Sequence, residues 1–211
     1  MKGSPIRGIY AITPEMGHTA ALLEKVNAAL VGGVRLFQYR NKSASSELRR
    51  RQCNALLAVV RDFDGTLIVN DDYRLALDIG ADGVHLGKDD GRIEDARAGL
   101  GADGIIGVSC YNDLDRATTL QAAGADYVAF GSFFPSQTKP AAVKAPAELL
   151  SCAKSRLKVP VVAIGGIDKN NARALVESGA DAVAILSSLF CVDDVERRAQ
   201  ELVGVMAKQG A

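Results

Sequence analysis

Short, continuously apolar runs alternate along the whole chain with longer stretches in which apolar positions recur every three to four residues. The runs fit strands of a parallel sheet covered on both faces, and the amphipathic stretches fit helices laid against it. Eight runs qualify: Ile9–Thr13, Arg35–Arg40, Leu67–Asn70, Gly83–Leu86, Ile105–Ser109, Tyr127–Gly131, Val161–Gly165 and Ala182–Ser187, each followed by a helical pattern. Eight β/α units with no segment left over predict an α/β fold, a single (β/α)8 TIM barrel domain spanning 1–211. The triplet Gly-Ala-Asp recurs at Gly80, Gly124 and Gly179, each time putting a C′ glycine at the end of a helix just before the next strand. The competing architecture, an open doubly wound sheet, requires a glycine-rich fingerprint after its first strand. That position reads Pro14-Glu15-Met16-Gly17-His18 instead.

Barrels of this kind build their active sites from the C-terminal strand ends and the loops that follow. Those positions carry the chain's unusual residues. Strand two ends in Gln38-Tyr39-Arg40-Asn41-Lys42, strand three in Asn70-Asp71-Asp72, and strand four in His85-Leu86-Gly87-Lys88-Asp89-Asp90. Strand five ends in Ser109-Cys110-Tyr111, and strand six runs into Ser136-Gln137-Thr138-Lys139. Strand seven ends in Gly165-Gly166 and strand eight in Leu186-Ser187-Ser188, while the opposite rim shows mostly glycine, alanine and helix-capping aspartate.

Gln38, Arg40 and Lys42 alternate along an extended segment, so their side chains are expected in one row offering an amide and two cations, with Lys139 and Lys88 converging from other loops. A solvated strand end is the competing explanation; the neighbouring carboxylates weigh against it. Asp71 and Asp90 follow adjacent strands and are expected to face one Mg²⁺, which takes one or two carboxylates and completes its shell with water and substrate phosphate. Each place has two acids, so Asp72 and Asp89 are free to cap helices. Gly165-Gly166 and Ser187-Ser188 suggest a second anion site built on backbone N–H groups, flanked by Ser136 and Thr138. His85, alone in an apolar run, reads as a satisfied interior histidine. With His18 as the other histidine, no Ser-His-Asp or Cys-His arrangement can be assembled.

Composition narrows the classes further. Lys plus Arg and Asp plus Glu number 25 each, so no basic excess exists to hold nucleic acid or anionic lipid. Trp is absent and aromatics are 5%, which removes the stacking platforms of single-strand binders. No apolar run approaches the ~20 residues of a membrane span, and nothing behind Met1 resembles a signal peptide, so the expected setting is the cytoplasm. Cys53, Cys110, Cys152 and Cys191 lack zinc-like spacing and are expected to be reduced and mostly buried.

Taken in order, Tyr10-Ala11-Ile12-Thr13, Gln38-x-Arg40-x-Lys42, Asn70-Asp71, Gly83-Val84-His85-Leu86-Gly87, Gly107-x-Ser109, Phe134-Pro135-x-x-Thr138-Lys139, Ala163-Ile164-Gly165-Gly166-Ile167 and Ser187 resemble the thiamine-phosphate synthases, over almost the whole chain. The resemblance implies a barrel that joins 4-amino-5-hydroxymethyl-2-methylpyrimidine diphosphate to a thiazole phosphate, giving thiamine phosphate and pyrophosphate. It implies Arg40, Lys42 and Lys139 as catalytic cations, and Gln38, Tyr39, Arg40, Asn41, Lys42, Asn70, Ser109 and Lys139 around the pyrimidine diphosphate. Ser136, Gln137, Thr138, Gly166, Leu186 and Ser187 would contact the thiazole phosphate. Asp71 and Asp90 would bind Mg²⁺, and the chain would be a homodimer with small-molecule substrates as its ligands. The family's pattern has Gln at Lys88, His at Tyr111, Pro at Ser132 and Thr at Ser136. A sister family of thiazole tautomerases is expected to use a histidine near Tyr111, so Tyr111 argues against that activity. A non-catalytic phosphate-binding barrel is the remaining alternative.

Overall fold

A computed structural model describes residues 4–135 and 143–207. Eight parallel strands close on themselves in sequence order, each paired with its neighbours and the eighth with the first. They are β1 (Gly8–Ile12), β2 (Leu36–Tyr39), β3 (Thr66–Asn70), β4 (Gly83–Leu86), β5 (Ile105–Tyr111), β6 (Tyr127–Gly131), β7 (Val161–Ile164) and β8 (Ala182–Ile185). The helices are α1 (Thr19–Val31), α2 (Ser46–Asp62), α3 (Tyr73–Ile79), α4 (Ile93–Leu100), α5 (Leu114–Ala122), α6 (Glu148–Arg156), α7 (Ala172–Glu177), α8 (Ser187–Phe190) and α9 (Val195–Ala207). The open-sheet alternative is thereby excluded.

Strand alternation divides the core into two shells. Tyr10, Leu36, Ile68, Tyr127, Ala129, Val162, Ala182 and Ala184 fill the barrel interior. Phe37, Tyr39, Val69, Val84, Val108 and Phe130 point outward against Leu22, Val26, Leu56, Val60 and Leu150 of the helices. Small and large side chains are matched across the interior. A methyl group on Gly107 would run into the Tyr127 ring, so a residue without a side chain is what lets that ring cross the barrel.

Helix starts follow local chemistry. Ser45 accepts a hydrogen bond from Leu48 N–H at 3.2 Å, Asp72 from Leu75 N–H at 2.9 Å and Asp113 from Arg116 N–H at 2.8 Å. Gly80, Gly124 and Gly179 do take positive φ, at 67°, 103° and 116°, as does Gly101 of a fourth Gly-Ala-Asp triplet, at 74°. Three of the four aspartates, expected as helix caps, instead clamp strands. Asp82, Asp126 and Asp181 accept from Leu67, Ile106 and Val161 N–H at 2.7, 2.7 and 2.8 Å, tying the start of the preceding strand to the start of the next.

Strand ends shift by a residue or two from expectation everywhere but in β4 and β6, and β5 runs on to Tyr111. Strand seven stops at Ile164 and strand eight at Ile185, because Gly165 adopts φ 103° and the chain turns at Leu186 into the short α8. Ser187 therefore opens a helix and does not end a strand.

Candidate active site

Arg40 and Lys42 leave β2 on the rim as expected, but they do not lie side by side. Arg40 is mostly covered and its guanidinium meets Glu15 Oε1 at 2.6 Å, on the loop after β1. Its backbone N–H donates to Thr13 Oγ1 at 3.0 Å. Lys42 reaches the other way, to Asp71 Oδ2 at 2.8 Å beyond β3. The two cations thus bracket the mouth over β2, each resting on a carboxylate. Glu15 was not among the sequence candidates; the acid in Pro14-Glu15, one loop away from Arg40, was its signal. Burial raises its carboxyl's affinity for a proton, but hydrogen bonds from Ser43 and the Arg40 charge outweigh this and hold it below the ordinary carboxylate range.

Of the two aspartates after β3, Asp72 caps α3, leaving Asp71 to the mouth. Asp71 has φ 67°, and its N–H donates to His85 O at 2.8 Å, which fixes it against the end of β4. Asp90 folds back so that its Oδ2 accepts from Gly87 N–H at 2.8 Å. Burial, followed by the facing Asp71 carboxyl within hydrogen-bonding reach, pushes the Asp90 carboxyl above the ordinary range, against the pull of Gly87 N–H and Lys42. The two facing carboxyls bring hard oxygen donors together on one rim. Among the described residues no group of three or more His, Cys, Asp or Glu could hold a metal ion. A pair fits the share of its shell that Mg²⁺ takes from protein when a diphosphate supplies the rest.

Below these charges lies a chain of polar side chains across the barrel interior. Gln38 Nε2 donates to Tyr10 Oη at 2.9 Å, and Tyr10 Oη lies 2.7 Å from Tyr127 Oη. Tyr127 Oη lies 2.9 Å from His85 Nδ1, and His85 Nε2 lies 2.9 Å from Ser109 Oγ. His85 is therefore buried and bonded through both ring nitrogens, as its position in an apolar run implied. The tyrosines escaped the sequence reading, although Tyr10 and Tyr127 share the inward phase of their strands. Asn70 ends β3 in register with His85, one inward position above Ile68.

The alternation that turns Gln38 inward turns Tyr39 and Asn41 outward. Tyr39 Oη donates to Gln52 Oε1 at 2.8 Å, and Asn41 Nδ2 donates to Gln52 Oε1 and Met16 O at 3.1 and 3.0 Å. Their side chains tie β2 to α2 and the first loop, and both residues line a small cleft shared with Lys42, Asn70 and Asp71.

On the far side of the mouth, Gly165 and Gly166 have φ 103° and 63°. Asn171 Nδ2 donates to Gly166 O at 3.1 Å, and Ser188 Oγ to Ile167 O at 2.7 Å, so this turn is held against the start of α7 and against α8. Gly166 and Ser187 are exposed, and the first N–H groups of α8 have no acceptor within their own helix. Ser136, Gln137, Thr138 and Lys139 lie outside the described residues. Lys88 is exposed, and Tyr111 stands exposed at the end of β5 with φ 57°.

A cavity of about 200 Å³ opens behind the β4 and β5 ends between α4 and α5, lined by Leu86, Lys88, Arg92, Val108 and Arg116. It does not join the mouth's carboxylates. All four cysteines are free; Cys53 and Cys110 are buried, with burial pushing both thiols up to about 12. Cys152 and Cys191 are exposed, which corrects the expectation of mostly buried cysteines, since α6 and the segment after α8 present them outward.

A family-wide sequence profile described as thiamine monophosphate synthase matches residues 9–189. A thiamine-phosphate synthase of Thiobacillus denitrificans is 52% identical over 202 residues, covering 96% of each chain. One from Nitrosospira multiformis is 47% identical, covering 97% of this chain and 87% of its own. Among solved structures, a thiamine phosphate pyrophosphorylase from Pyrococcus furiosus superimposes with a TM-score of 0.85 at 34% identity over 96% of both chains.

Proposed function

The chain belongs to the thiamine monophosphate synthase family and has the activity of a thiamine-phosphate synthase, a transferase of thiamine biosynthesis; we propose how its barrel mouth carries that activity out. The observation that supports the reading is the interleaving of charge on one rim: Arg40 on Glu15, Lys42 on Asp71, and Asp90 against Asp71. The pyrimidine diphosphate lies with its ring over Gln38, Asn70 and Ser109 and its diphosphate against Arg40 and Lys42, and Lys139 is assigned to it as a third cation. Asp71 and Asp90 hold Mg²⁺, which when bound adds positive charge beside the leaving diphosphate. The thiazole phosphate takes the backbone N–H groups of Gly166, Leu186 and Ser187, with Ser136, Gln137 and Thr138 beside it.

The bond between the pyrimidine methylene and the diphosphate oxygen breaks, and its electron pair leaves with pyrophosphate. The thiazole nitrogen then supplies the pair that forms the new carbon–nitrogen bond. No proton is removed, so no general base is required. This agrees with two interior phenols that stay neutral: burial raises Tyr10 and Tyr127 above the ordinary phenol range. The residues' work is to stabilise charge on the departing diphosphate and to hold the nucleophile near the methylene.

The test is pyrophosphate release with pyrimidine diphosphate, thiazole phosphate and Mg²⁺, each omitted in turn, with the product mass checked. Release should need all three. Arg40→Ala and Asp71→Ala should each lower kcat/KM by at least about 100-fold, the cost of losing one strong electrostatic contact in such a site. Near-normal turnover in both, with unchanged circular dichroism, would overturn the assignment of this rim.

A further inference from the structure

Two residues assigned to the pyrimidine ring, Gln38 and Ser109, stand at opposite ends of the interior chain Gln38–Tyr10–Tyr127–His85–Ser109. Each step of the chain is 2.7 to 2.9 Å long. Every member but Ser109 is buried, so each donor needs an acceptor inside the protein. That requirement gives the chain a direction. Gln38 Nε2 can only donate, so Tyr10 Oη accepts. The single proton of Tyr10 then goes to Tyr127 Oη, and the proton of Tyr127 goes to His85 Nδ1. A neutral imidazole that accepts at Nδ1 carries its proton at Nε2, so His85 donates to Ser109 Oγ. At the ends, Gln38 Oε1 is left as an acceptor and the Ser109 hydroxyl proton as a donor.

We propose that Tyr10, Tyr127 and His85 are positioning residues that fix Gln38 as an acceptor and Ser109 as a donor, so that the mouth selects a ring presenting an amine beside an unprotonated ring nitrogen. This deepens the proposed function and rests on it, since an aminopyrimidine has that pattern and a pyrimidone, with a carbonyl beside a protonated ring nitrogen, has the reverse. The chain works as a unit: reversing either end requires turning over the amide, both phenol protons and the imidazole tautomer together. Gly107 belongs to the arrangement, because a side chain there would displace the Tyr127 ring.

The experiment compares kcat/KM for the 4-amino pyrimidine diphosphate with that for its 4-oxo analogue, in the wild type, Tyr10→Phe and Tyr127→Phe. The wild type should prefer the amine by at least about 100-fold, as sites with fixed polar partners do. Each Phe variant loses one oxygen and no carbon. The interruption should shrink the preference by about tenfold or more, through a raised KM for the amine and a lowered KM for the oxo analogue. A purely structural role for the phenols would lower Tm and both activities in parallel and leave the ratio untouched, and that result overturns the proposal. So would a wild type that favours the oxo analogue, which would mean the chain runs in reverse. A wild type that turns over neither compound with thiazole phosphate and Mg²⁺ would instead sink the proposed function, so the two failures are distinct.

Discussion

Arg40 and Glu15 show how a single rim contact carries both stability and readiness for an anion. The guanidinium is mostly covered, and Glu15 supplies its counter-charge while also accepting from Ser43 Oγ at 3.0 Å. Because Glu15 sits below its ordinary carboxylate range in the folded protein, its contribution is fully present above the unfolded-state value and is lost as pH falls through the lowered one. Glu15→Gln should therefore be less stable than the wild type at pH 7, with the difference disappearing as urea titrations are repeated at increasingly acid pH. A difference that persists at low pH would show that the loss comes from packing and not from charge. Gly107 makes a different point at the same scale. Gly107→Ala puts a methyl group into the Tyr127 ring, and overpacking of this kind costs about 1–3 kcal/mol. Calorimetry should show the loss, and the same substitution made in a Tyr127→Ala background should cost clearly less, the difference measuring the contact.

At the scale of elements, the recurring Gly-Ala-Asp turn shows what was legible and what was not. The glycine's part is written locally, since a helix ending just before a strand favours a residue with positive φ, and the glycines at 80, 101, 124 and 179 all comply. The aspartate's part is not, because its partner N–H lies 15 to 20 residues earlier, at the start of a strand that becomes a neighbour only when the sheet forms. Asp181 illustrates the consequence. Its removal leaves the N–H of buried Val161 without its side-chain acceptor. Asp181→Ala should thus lose about 1–3 kcal/mol in a denaturant titration, and Asp181→Asn, which keeps an acceptor oxygen, should lose clearly less. Equal losses would assign the effect to the Lys154–Asp181 ion pair instead. The same locality explains the boundaries. Strand existence followed from apolar runs, whereas the turn of Gly165 and the conversion of Ser187 into the start of α8 depend on how the last two strands meet the rim.

For the molecule as a whole, closure of the barrel is what turns scattered motifs into a site. Eight β/α repeats were legible as periodicity, and the rim residues followed from the rule that such barrels work at one end. Sequence order placed Asp71 and Asp90 on adjacent strands, but their opposition depends on Asp90 folding back onto Gly87 and on Asp72 being consumed as a cap. The interior chain through Tyr10 and Tyr127 was hidden for a related reason: phenols in apolar runs look like packing until the barrel brings strands one, four and six around a common axis. Closure also concentrates like charge, and this leads to a measurable conflict between stability and function. In the metal-free protein the Asp71 and Asp90 carboxyls oppose one another, with Lys42 as partial relief. Asp90→Asn keeps an acceptor for Gly87 N–H and deletes one of the two charges. The metal-free variant should therefore melt above the metal-free wild type, by no more than about 4 °C given the exposure of the pair and the size of the chain. Adding Mg²⁺ should reverse the order, because a ligand at 100 times its dissociation constant stabilises by about 2.7 kcal/mol and the variant offers a neutral amide in place of a charged carboxylate. Differential scanning calorimetry of both proteins, with Mg²⁺ and with chelator, reads all four values. If Mg²⁺ raises the two melting temperatures equally, Asp90 does not hold the ion, and the carboxyl pair serves the rim in some other way.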